Sequence, residues 1–404
     1  MVTRNVATAL LGRLREGRLE LAETGGRRHA FGPPDSSLRA SVRLHDSSFW
    51  TGLARGSLGL AETYADGGWE CDDLVSLVRI AAREMPRLDR LRRPFVPLLD
   101  LLSRVPRNTR DAVPGHIAAH YDLGNGLFEL FLDDTMTYSC AIFEDPEVTL
   151  RGAQEAKLDR VCRKLELGPE DHVVEIGTGW GSFAVHAAGR YGCRVTTTTI
   201  SRQQHAAAVE RIRAAGLEDR VRVLLSDYRD LRGRYDKLVS IEMIEAVGWQ
   251  YFETFFRRCG ELLSPGGLML LQAIVIDHGA YHVERSSRSF MRELIFPSRC
   301  LPSLQVISDC VAHGTDMRVV ELEDITANYP ETLRRWRAAF VDAAGRAQRL
   351  GYDRRFRRLW ELYFSYCEGG FRERRIQTVQ TLLARPGVMG PAPRRPPAAM
   401  LARS

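Results

Sequence analysis

An apolar run that leads into a glycine-rich turn constrains the fold of this chain more than any other feature. The run is Val173-Val174-Glu175-Ile176, and the turn is Gly177-Thr178-Gly179-Trp180-Gly181. The apolar run predicts a buried strand, and the glycines permit a sharp turn into a helix that starts near Ser182. Such a turn lets backbone N–H groups approach a ligand closely, and the N-terminus of the following helix adds partial positive charge. Nucleotide-binding α/β folds of more than one kind share this device.

Strand-like and helix-like segments alternate around this turn. The pattern predicts strands at 172–177, 194–200, 221–226, 236–241 and 267–275, and helices at 151–167, 182–190, 202–215 and 249–263. This alternation favours an α/β fold with a doubly wound, parallel sheet. The segment 280–312 interrupts the alternation and is expected to form an inserted helical lid, followed by helices at 331–349 and 353–380.

Length and local composition predict two folded parts and a tail. The 404 residues suffice for two domains. A smaller N-terminal domain with its linker is predicted at 1–110, where a basic, proline-bearing segment that contains a helix begins at residue 86. The α/β domain is predicted at 111–385. Residues 386–404, rich in proline and arginine, are expected to be disordered.

Charge, hydropathy and cysteine spacing limit the cellular locations and the metal cofactors that are expected for the protein. The net charge of +6 is compatible with nucleic acid, an anionic membrane surface or an acidic substrate, and does not choose between them. No apolar run approaches the roughly 20 residues that span a bilayer, and a signal peptide is not evident, so a cytoplasmic protein is expected. The eight cysteines show no metal-binding or disulfide spacing, so no metal is predicted.

The ends of the predicted strands carry polar groups that suit a nucleotide-like cofactor. Ligands of open α/β sheets lie beyond the carboxyl ends of the strands. The second strand ends in short polar donors at 199–204, without the acid that a nicotinamide-binding domain uses for its ribose. The third ends at 226–230 with an acid and an aromatic that could bond and stack on adenine. The fourth ends with two acids, Glu242 and Glu245. These ends and the glycine turn are typical of a class I methyltransferase that binds S-adenosylmethionine (SAM).

Further segments, in the same order along the chain, resemble the cyclopropane-fatty-acyl-phospholipid synthase family. The resemblance extends over about 45–385, and its N-terminal segments 56–64 and 69–71 are similar to the lipid-binding domain of that family. The other matching segments are 120–125, 136–141, 177–181, 199–201, 227–231, 295–303 and 369–372.

The resemblance implies SAM-dependent transfer of a methyl-derived carbon to the cis double bond of an unsaturated acyl chain in a phospholipid, giving a cyclopropane ring. The residues that would border SAM are Tyr138, Ser139, Glu175, Gly177, Thr178, Gly179, Gly181, Thr199, Ser201, Gln204, Asp227, Tyr228, Arg229 and Ile241. Family members also hold bicarbonate. Its cage corresponds to Cys140, Glu245, Ile274 and Tyr329, with Gln272 where typical synthases have histidine. Cys367 matches a cysteine long proposed as catalytic in the family.

The implied chemistry explains these residue types. Methyl transfer to an alkene leaves a carbocation, which the aromatic faces of Tyr329, Tyr363 and Phe296 could stabilise. A base must then remove a proton, and bicarbonate could serve if Glu245 bonds its hydroxyl. Gln272 can donate a hydrogen bond as histidine does, but it cannot titrate.

The product and the substrate stay open on sequence grounds. Thr178 and Gln272 belong to a combination that looks more like relatives linked to methyl-branched lipids, so a methylene- or methyl-branched acyl chain is an alternative product. A methyltransferase of a soluble small molecule and a non-enzymatic lipid binder are further alternatives. Nucleic acid is not expected, because a flipped-base motif such as Asn-Pro-Pro-Tyr is missing.

The phospholipid substrate implies peripheral association with the inner face of the cell membrane. Candidate contacts are Arg90, Arg92, Arg93 and Arg104 around the apolar segment 95–102. A solvated basic linker explains these arginines equally well. Because family members are often dimers, a homodimer is possible.

Overall fold

A computed structural model of the protein describes residues 2–96, 124–297 and 299–387. The strands of these residues form a four-stranded sheet near the N-terminus and a seven-stranded sheet. Several sequence predictions concern other parts of the chain. Residues 120–123 of the family resemblance, Arg104 with 97–102 of the predicted membrane surface, and 388–404 of the predicted tail lie outside the described residues.

The N-terminal part is built around the four-stranded sheet. Its strands are β1 (Arg18–Glu23), β2 (Arg28–Phe31), β3 (Arg39–Leu44) and β4 (Trp69–Cys71), and its helices are α1 (Val2–Leu11), α2 (Ser48–Ala54), α3 (Gly56–Ala65) and α4 (Leu74–Arg92). The strand order is β2-β1-β3-β4, with β1 and β3 parallel and the other neighbours antiparallel. Ala40, Val42 and Leu44 alternate with exposed residues along β3, so one face of the sheet covers a core.

Helix α4 reaches into the segment predicted as a linker. The Asp73 carboxylate accepts hydrogen bonds from the backbone N–H groups of Val75 and Ser76 at 2.9 and 3.1 Å, which caps the start of the helix. The helix then continues through Pro86 and is followed by a 3-10 turn at Arg93–Phe95. The predicted linker therefore begins inside a packed helix.

The seven-stranded sheet carries the alternating strands that the sequence predicted. These are β5 (His172–Ile176), β6 (Arg194–Thr199), β7 (Val221–Leu225), β8 (Tyr235–Ile241) and β9 (Leu263–Ile276). They are parallel to their neighbours in the order β9-β8-β5-β6-β7, which confirms the doubly wound α/β fold. Two more strands, β10 (Arg318–Asp324) and β11 (Ile376–Ala384), continue the sheet beyond β9 in antiparallel pairs.

Helices cover both faces of this sheet and fill the insertions. They are α5 (Asn125–Phe128), α6 (Leu150–Lys164), α7 (Ser182–Tyr191), α8 (Arg202–Ala214), α9 (Ile244–Val247), α10 (Phe252–Leu262), α11 (His278–Ser286), α12 (Leu304–Gly314), α13 (Tyr329–Asp342), α14 (Ala344–Arg349) and α15 (Arg354–Arg372). Short 3-10 turns occur at Tyr228–Asp230, Trp249–Tyr251 and Thr326–Asn328, and a π-helix occurs at Met291–Ile295. The segment predicted as a lid is therefore helical, and its closing role stays a prediction.

The antiparallel edge corrects the sequence prediction. The helix predicted at 353–380 ends at Arg372, and residues 376–380 belong to β11. Strand β10 was not predicted at all. Strand β11 was predicted as helix because it buries polar side chains, among them Thr378 and Gln380, so its pattern does not resemble that of an apolar strand. Pairing with β9 on one side and β10 on the other stabilises it there.

Ion pairs join the N-terminal part to the C-terminal helix. The guanidinium groups of Arg79 and Arg83 on α4 both lie 2.7 Å from the carboxylate of Glu373, just after α15. Arg375 lies 2.5 Å from Asp89 of α4. These partly buried pairs anchor α15 against α4, so the helix that backs the functional site has a fixed position.

Candidate functional site

A cleft opens beyond the carboxyl ends of β5, β6, β7 and β8, where α/β folds bind ligands. Both the glycine turn and the polar strand ends line it. Most of the residues predicted to border SAM lie in its wall, namely Tyr138, Ser139, Glu175, Gly177, Thr178, Gly179, Thr199, Gln204, Asp227, Tyr228, Arg229 and Ile241. The other two support this wall. Gly181 precedes α7 with a φ of 87°, and the Ser201 hydroxyl accepts a hydrogen bond from the Gln204 backbone N–H at 3.3 Å.

The glycine turn adopts the backbone conformation that its sequence predicts. Gly177 and Gly179 have φ values of 104° and 52°, which side chains disfavour. A β-carbon on Gly177 would lie 3.0 Å from the Met243 side chain, whereas one on Gly179 would meet nothing within 4 Å. Gly179 therefore faces the open space of the cleft. The Thr198 carbonyl accepts the N–H groups of Gly177 and Thr178, both at 3.1 Å, which fixes the turn to β6.

The end of the cleft predicted to hold adenine contains an internal ion pair. The Asp227 carboxylate accepts two hydrogen bonds from the Arg229 guanidinium, at 2.9 and 2.7 Å. The Tyr228 ring lies edge-on to Phe255, with 5.5 Å between the ring centroids. The acid and the aromatic are thus held in place beside the cleft.

A buried lysine is a component of the cleft that sequence reasoning missed. Lys157 on α6 is fully buried, and its Nζ donates to the Ser139 hydroxyl at 2.8 Å. Burial lowers the pKa of Lys157 to about 8 and raises the pKa of Glu175 to about 8. The signal was available, because Lys157 stands at helical spacing between Ala153 and Val161 on the buried face of α6, where a charged residue is uncommon.

Glu242 lies where the cleft meets the residues predicted to hold bicarbonate. Its Oε1 accepts hydrogen bonds from the Cys140 backbone N–H and from Gln272 Nε2, both at 2.9 Å. Its Oε2 accepts from the Tyr329 hydroxyl at 2.5 Å. We call Glu242 with these three donors the Glu242 cluster. Behind it, Gln380 Nε2 donates to Gln272 Oε1 at 3.0 Å.

The backbone of Glu242 is in the left-handed region, with a φ of 49°. For a residue with a side chain this costs on the order of 1–3 kcal/mol, and it persists only where the surroundings hold it. The Glu242 N–H donates to the Gln272 carbonyl at 2.8 Å, which continues the β8–β9 pairing. Sequence reasoning noted Glu242 as one of two acids at a strand end but gave the catalytic role to Glu245.

Glu245 faces β9 rather than the glycine turn. Its Oε1 accepts from the Ile274 backbone N–H at 2.6 Å. Burial and the neighbouring Glu242 raise the pKa of Glu245 to about 7. Among the described residues, its Oε2 has no hydrogen-bond partner. Glu245 and Ile274 therefore contact each other, and both lie outside the wall of the cleft.

The two candidate cysteines are buried thiols. Cys140 takes part in the Glu242 cluster through its backbone, while its thiol donates to the Ala141 carbonyl at 3.3 Å, and burial raises its pKa. Burial also raises the pKa of Cys367, on α15, to about 12. Neither thiol is therefore in the thiolate form that a nucleophile needs at neutral pH. Among the described residues, no group of three or more His, Cys, Asp or Glu could hold a metal ion.

Aromatic rings flank the cleft and the Glu242 cluster. The Tyr138 and Tyr363 hydroxyl groups are 2.7 Å apart. Phe296 packs edge-on to Tyr363 with 5.4 Å between centroids, and Tyr329 stacks on Phe371 at 4.3 Å. The three aromatics that the sequence proposed for cation stabilisation thus lie in one buried core.

A seven-stranded sheet with a glycine turn after one central strand and polar neighbouring strand ends defines a SAM-dependent methyltransferase of class I. Comparison with known proteins gives the family. Residues 108–381 match the model of the family described as mycolic acid cyclopropane synthetase, and the chain belongs to this family.

Curated relatives align with most of the chain. Tuberculostearic acid methyltransferase UfaA1 of Mycobacterium tuberculosis is 39% identical over 82% of this chain and 80% of its own length. Cyclopropane-fatty-acyl-phospholipid synthase of Escherichia coli is 36% identical over 87% of this chain and 89% of its own length. Among solved structures, mycolic acid cyclopropane synthase CmaA1 complexed with SAH and CTAB matches with a TM-score of 0.63 and 30% identity, over 67% of this chain and 98% of that one. The chain is therefore a SAM-dependent methyltransferase of the cyclopropane synthase family.

Proposed function

We propose that this enzyme transfers the methyl group of SAM to the cis double bond of an unsaturated acyl chain in a phospholipid. The observation that supports this most is the continuity of one cleft from the glycine turn to the Glu242 carboxylate, with aromatic rings beside both. The names of the relatives point to fatty acyl substrates. A cleft with these groups provides what alkene methylation needs, namely a cofactor site, an apolar cation site and a base.

SAM supplies an electrophilic methyl group on a sulfonium when it is bound. The residues predicted around it bind and orient it: the glycine turn allows close approach of the backbone, and Asp227 with Tyr228 lies at the adenine end. Glu175 is the acid in the wall that could pair with a cationic part of the cofactor. Its carboxylate is buried beside the glycine turn, where water screens it little.

The rings stabilise the cation that methyl transfer leaves on the acyl chain. An unpaired charge in an apolar tunnel is costly. A ring face attracts a cation by about 0.5–2 kcal/mol, and more so where water is excluded. Tyr329 and Tyr363 are both buried, and Tyr329 also binds Glu242. The cation would therefore lie between ring faces and a carboxylate.

The bicarbonate that the family resemblance implies does not fit the residues present without a rearrangement. The predicted cage included Cys140, Gln272 and Tyr329, and all three donate to Glu242 instead. An anion at these donors would displace the Glu242 carboxylate or lie beside it and be repelled. We therefore derive no step through bicarbonate.

We propose a cyclopropane as the product, with a methylene or methyl branch as the alternative. In both cases the transferred methyl group loses a proton. Direct loss closes the ring onto the cationic carbon, whereas loss after a hydride shift forms a C=CH₂ double bond to the transferred carbon, which is a methylene branch. The names of the matching family model and of the Escherichia coli relative support the cyclopropane, whereas Gln272 in place of histidine and a relative named for tuberculostearic acid support the branch. A saturated branch would further need a reductant.

Labelled SAM and liposomes of cis-unsaturated phospholipid test the proposal. We expect label in the lipid and a gain of one CH₂ group in the acyl chain by mass spectrometry. Proton NMR of the released fatty acid then separates a cyclopropane from a methylene branch. Label on a soluble acceptor, with none in lipid, contradicts the proposed substrate.

We also propose that the end of α4 contacts the membrane. Leu88 and Leu91 are 39% and 70% exposed there, and Arg90, Arg92 and Arg93 are exposed beside them. Each cation near an anionic surface adds about 1 kcal/mol. None of the described helices is long and apolar enough to cross a membrane.

Vesicle binding tests this surface. Reversing Arg90 and Arg92 to glutamate should weaken sedimentation with anionic vesicles by at least about tenfold, because two cations become anions. The same reversal at Arg349 and Arg354, also exposed, is the matched control and should change binding less. Equal losses in both double variants would mean that only the overall charge matters.

A further inference from the structure

The three donors of the Glu242 cluster come from separate parts of the chain. One is a backbone N–H that precedes the sheet, one is an amide on β9, and one is a hydroxyl at the start of α13. Three donors directed at one carboxylate form a strong anion site in a water-poor environment. They are also three of the five positions that the sequence assigned to a bicarbonate cage. A carboxylate has the same planar pair of oxygens as bicarbonate, so it can accept the same hydrogen bonds.

The anion of this cluster is the Glu242 carboxylate, and contacts with β9 hold it in place. Glu242 has a left-handed backbone, and its N–H donates to the Gln272 carbonyl, so the residue is held beside β9. Gln380 donates to Gln272 Oε1, so the amide N–H of Gln272 is turned toward Glu242. Gln272 can donate to the carboxylate but cannot pass it a proton, as a histidine could. The amide therefore favours an ionised carboxylate.

Glu242 also reaches the place where the reaction occurs. It lines the same cleft as Gly177 and Gly179, while Gln272 behind it is fully buried. Oε1 accepts two hydrogen bonds and Oε2 accepts one, and the residue is still partly exposed to the cleft. Desolvation raises the pKa of Glu242, which makes its ionised form a stronger base than an exposed glutamate.

We propose that the Glu242 carboxylate replaces bicarbonate in this enzyme and is itself the base that removes the proton; this rests on the proposed function. A C–H bond of the transferred methyl group breaks, and its proton goes to a Glu242 oxygen. The electron pair of that bond forms the new bond to the cationic carbon, either directly as a ring or as a double bond after the hydride shift. The carboxylate ends protonated and the acyl chain neutral.

Glu245 then has a positioning role. Its Oε1 holds the Ile274 N–H, two residues after Gln272 on the same strand. It is three residues after Glu242, on α9, and lies outside the wall of the cleft. It would hold β9, and with it Gln272, in position beside Glu242, and its own negative charge would raise the pKa of Glu242.

Two substitutions of Glu242 test the proposal with the full-length enzyme. Glu242→Gln keeps the shape but removes the base, so turnover should fall by about 100-fold or more while SAM affinity changes a few-fold. Glu242→Gly opens the anion site, so its turnover should be low in buffer depleted of bicarbonate and should recover when bicarbonate is added. Wild-type turnover should be the same in both buffers.

Matched controls come from Glu166, which also has a left-handed backbone, with a φ of 54°, but is exposed. Glu166→Gln and Glu166→Gly should leave turnover and its independence of bicarbonate unchanged. Calorimetric SAM binding shows whether each variant is folded. If Glu242→Gly binds SAM but bicarbonate does not rescue it, the turnover of Glu242→Gln decides, because that variant keeps the side-chain volume and lacks only the base.

The outcomes separate this inference from the proposed function. Wild-type enzyme that methylates lipid only when bicarbonate is present overturns the role of Glu242 and leaves the function intact. Glu242→Gln with more than about a tenth of wild-type turnover does the same. Wild-type enzyme that labels no lipid in either buffer overturns the proposed function itself.

Discussion

The cofactor cleft and the Glu242 cluster are adjacent, yet they are constructed in opposite ways. The cleft leaves space beside its glycine turn, where no protein atom lies within 4 Å of a β-carbon placed on Gly179. In the cluster, by contrast, the polar groups of the chain bind one another: two side chains and one backbone N–H donate to the Glu242 carboxylate. The cleft thus has room for a ligand, whereas the donors of the cluster are already bonded to a carboxylate of the chain.

This difference explains how one scaffold can keep its methyl donor while its base changes. The cleft depends on strand ends and a turn that any sequence with suitable glycines can form. The cluster depends on a few polar groups, so under the proposal above a carboxylate of the chain can take the place of a bound ion there. The comparison predicts that damage to each region affects a different step.

The largest effect is expected from filling the cleft. Gly179→Val places a side chain where the protein has no atoms, so SAM affinity should fall by about 100-fold, or about 2.7 kcal/mol. Calorimetry with SAM measures this. Gly26→Val is the control, because Gly26 also has a positive φ and no atom within 4 Å but lies in the N-terminal part. Equal loss in the control would mean that backbone strain, not occupied space, is responsible.

A smaller effect is expected from loosening the cluster. Tyr329→Phe removes one donor to the Glu242 carboxylate, so turnover should fall by about tenfold with SAM affinity unchanged. The lost hydrogen bond stabilised the ionised form, so the pKa of Glu242 should rise further. The acidic limb of the pH–rate profile should then move to higher pH. Tyr235→Phe, whose hydroxyl bonds the Arg232 carbonyl far from the cluster, should not move it.

The burial of Glu175 in the cleft should make the free energy of unfolding depend on pH. Burial raises the pKa of Glu175 from an ordinary 4.5 to about 8, so the folded state retains a proton that the unfolded state releases. The stabilising contribution is complete below about pH 4.5 and is lost as pH rises to about 8. At pH 8 the Glu175→Gln variant without SAM should be more stable by on the order of 1–3 kcal/mol.

Urea unfolding at pH 5 and pH 8 measures this difference. Glu218→Gln, at an exposed glutamate, is the control and should follow wild type at both pH values. The same Glu175→Gln variant should bind SAM more weakly, because an amide cannot release a proton to pair with the positive charge of the cofactor. A variant with wild-type pH dependence of stability would show that Glu175 is ionised in the free enzyme.

The smallest effect is expected at Cys367. Because burial holds its pKa near 12, its thiol does not ionise near neutral pH. Cys367→Ala should change turnover by less than about threefold, with a modest loss of stability from the cavity. A loss of about 100-fold in turnover, with SAM binding intact, would return Cys367 to the reaction.

The local parts of the fold and site were predictable from the sequence. Each of β5 to β8 is a short apolar or alternating run, and the polar residues after each run lie next to one another because the strands are parallel. Strand β11 was not predictable in this way. The amide Nε2 of the buried Gln380 gains a hydrogen-bond partner only because β9 brings Gln272 beside it.

The sequence by itself determined the doubly wound sheet, the glycine turn and the polar strand ends that line the cleft, since strand and turn preferences act between residues that are close in the chain. Only the tertiary structure decided where the anion lies. The donors to Glu242 are 102, 30 and 87 residues away from it, and no local pattern records that they meet. Once they meet in a water-poor core, each must be satisfied, and Glu242, the acid directly after β8, accepts from all three.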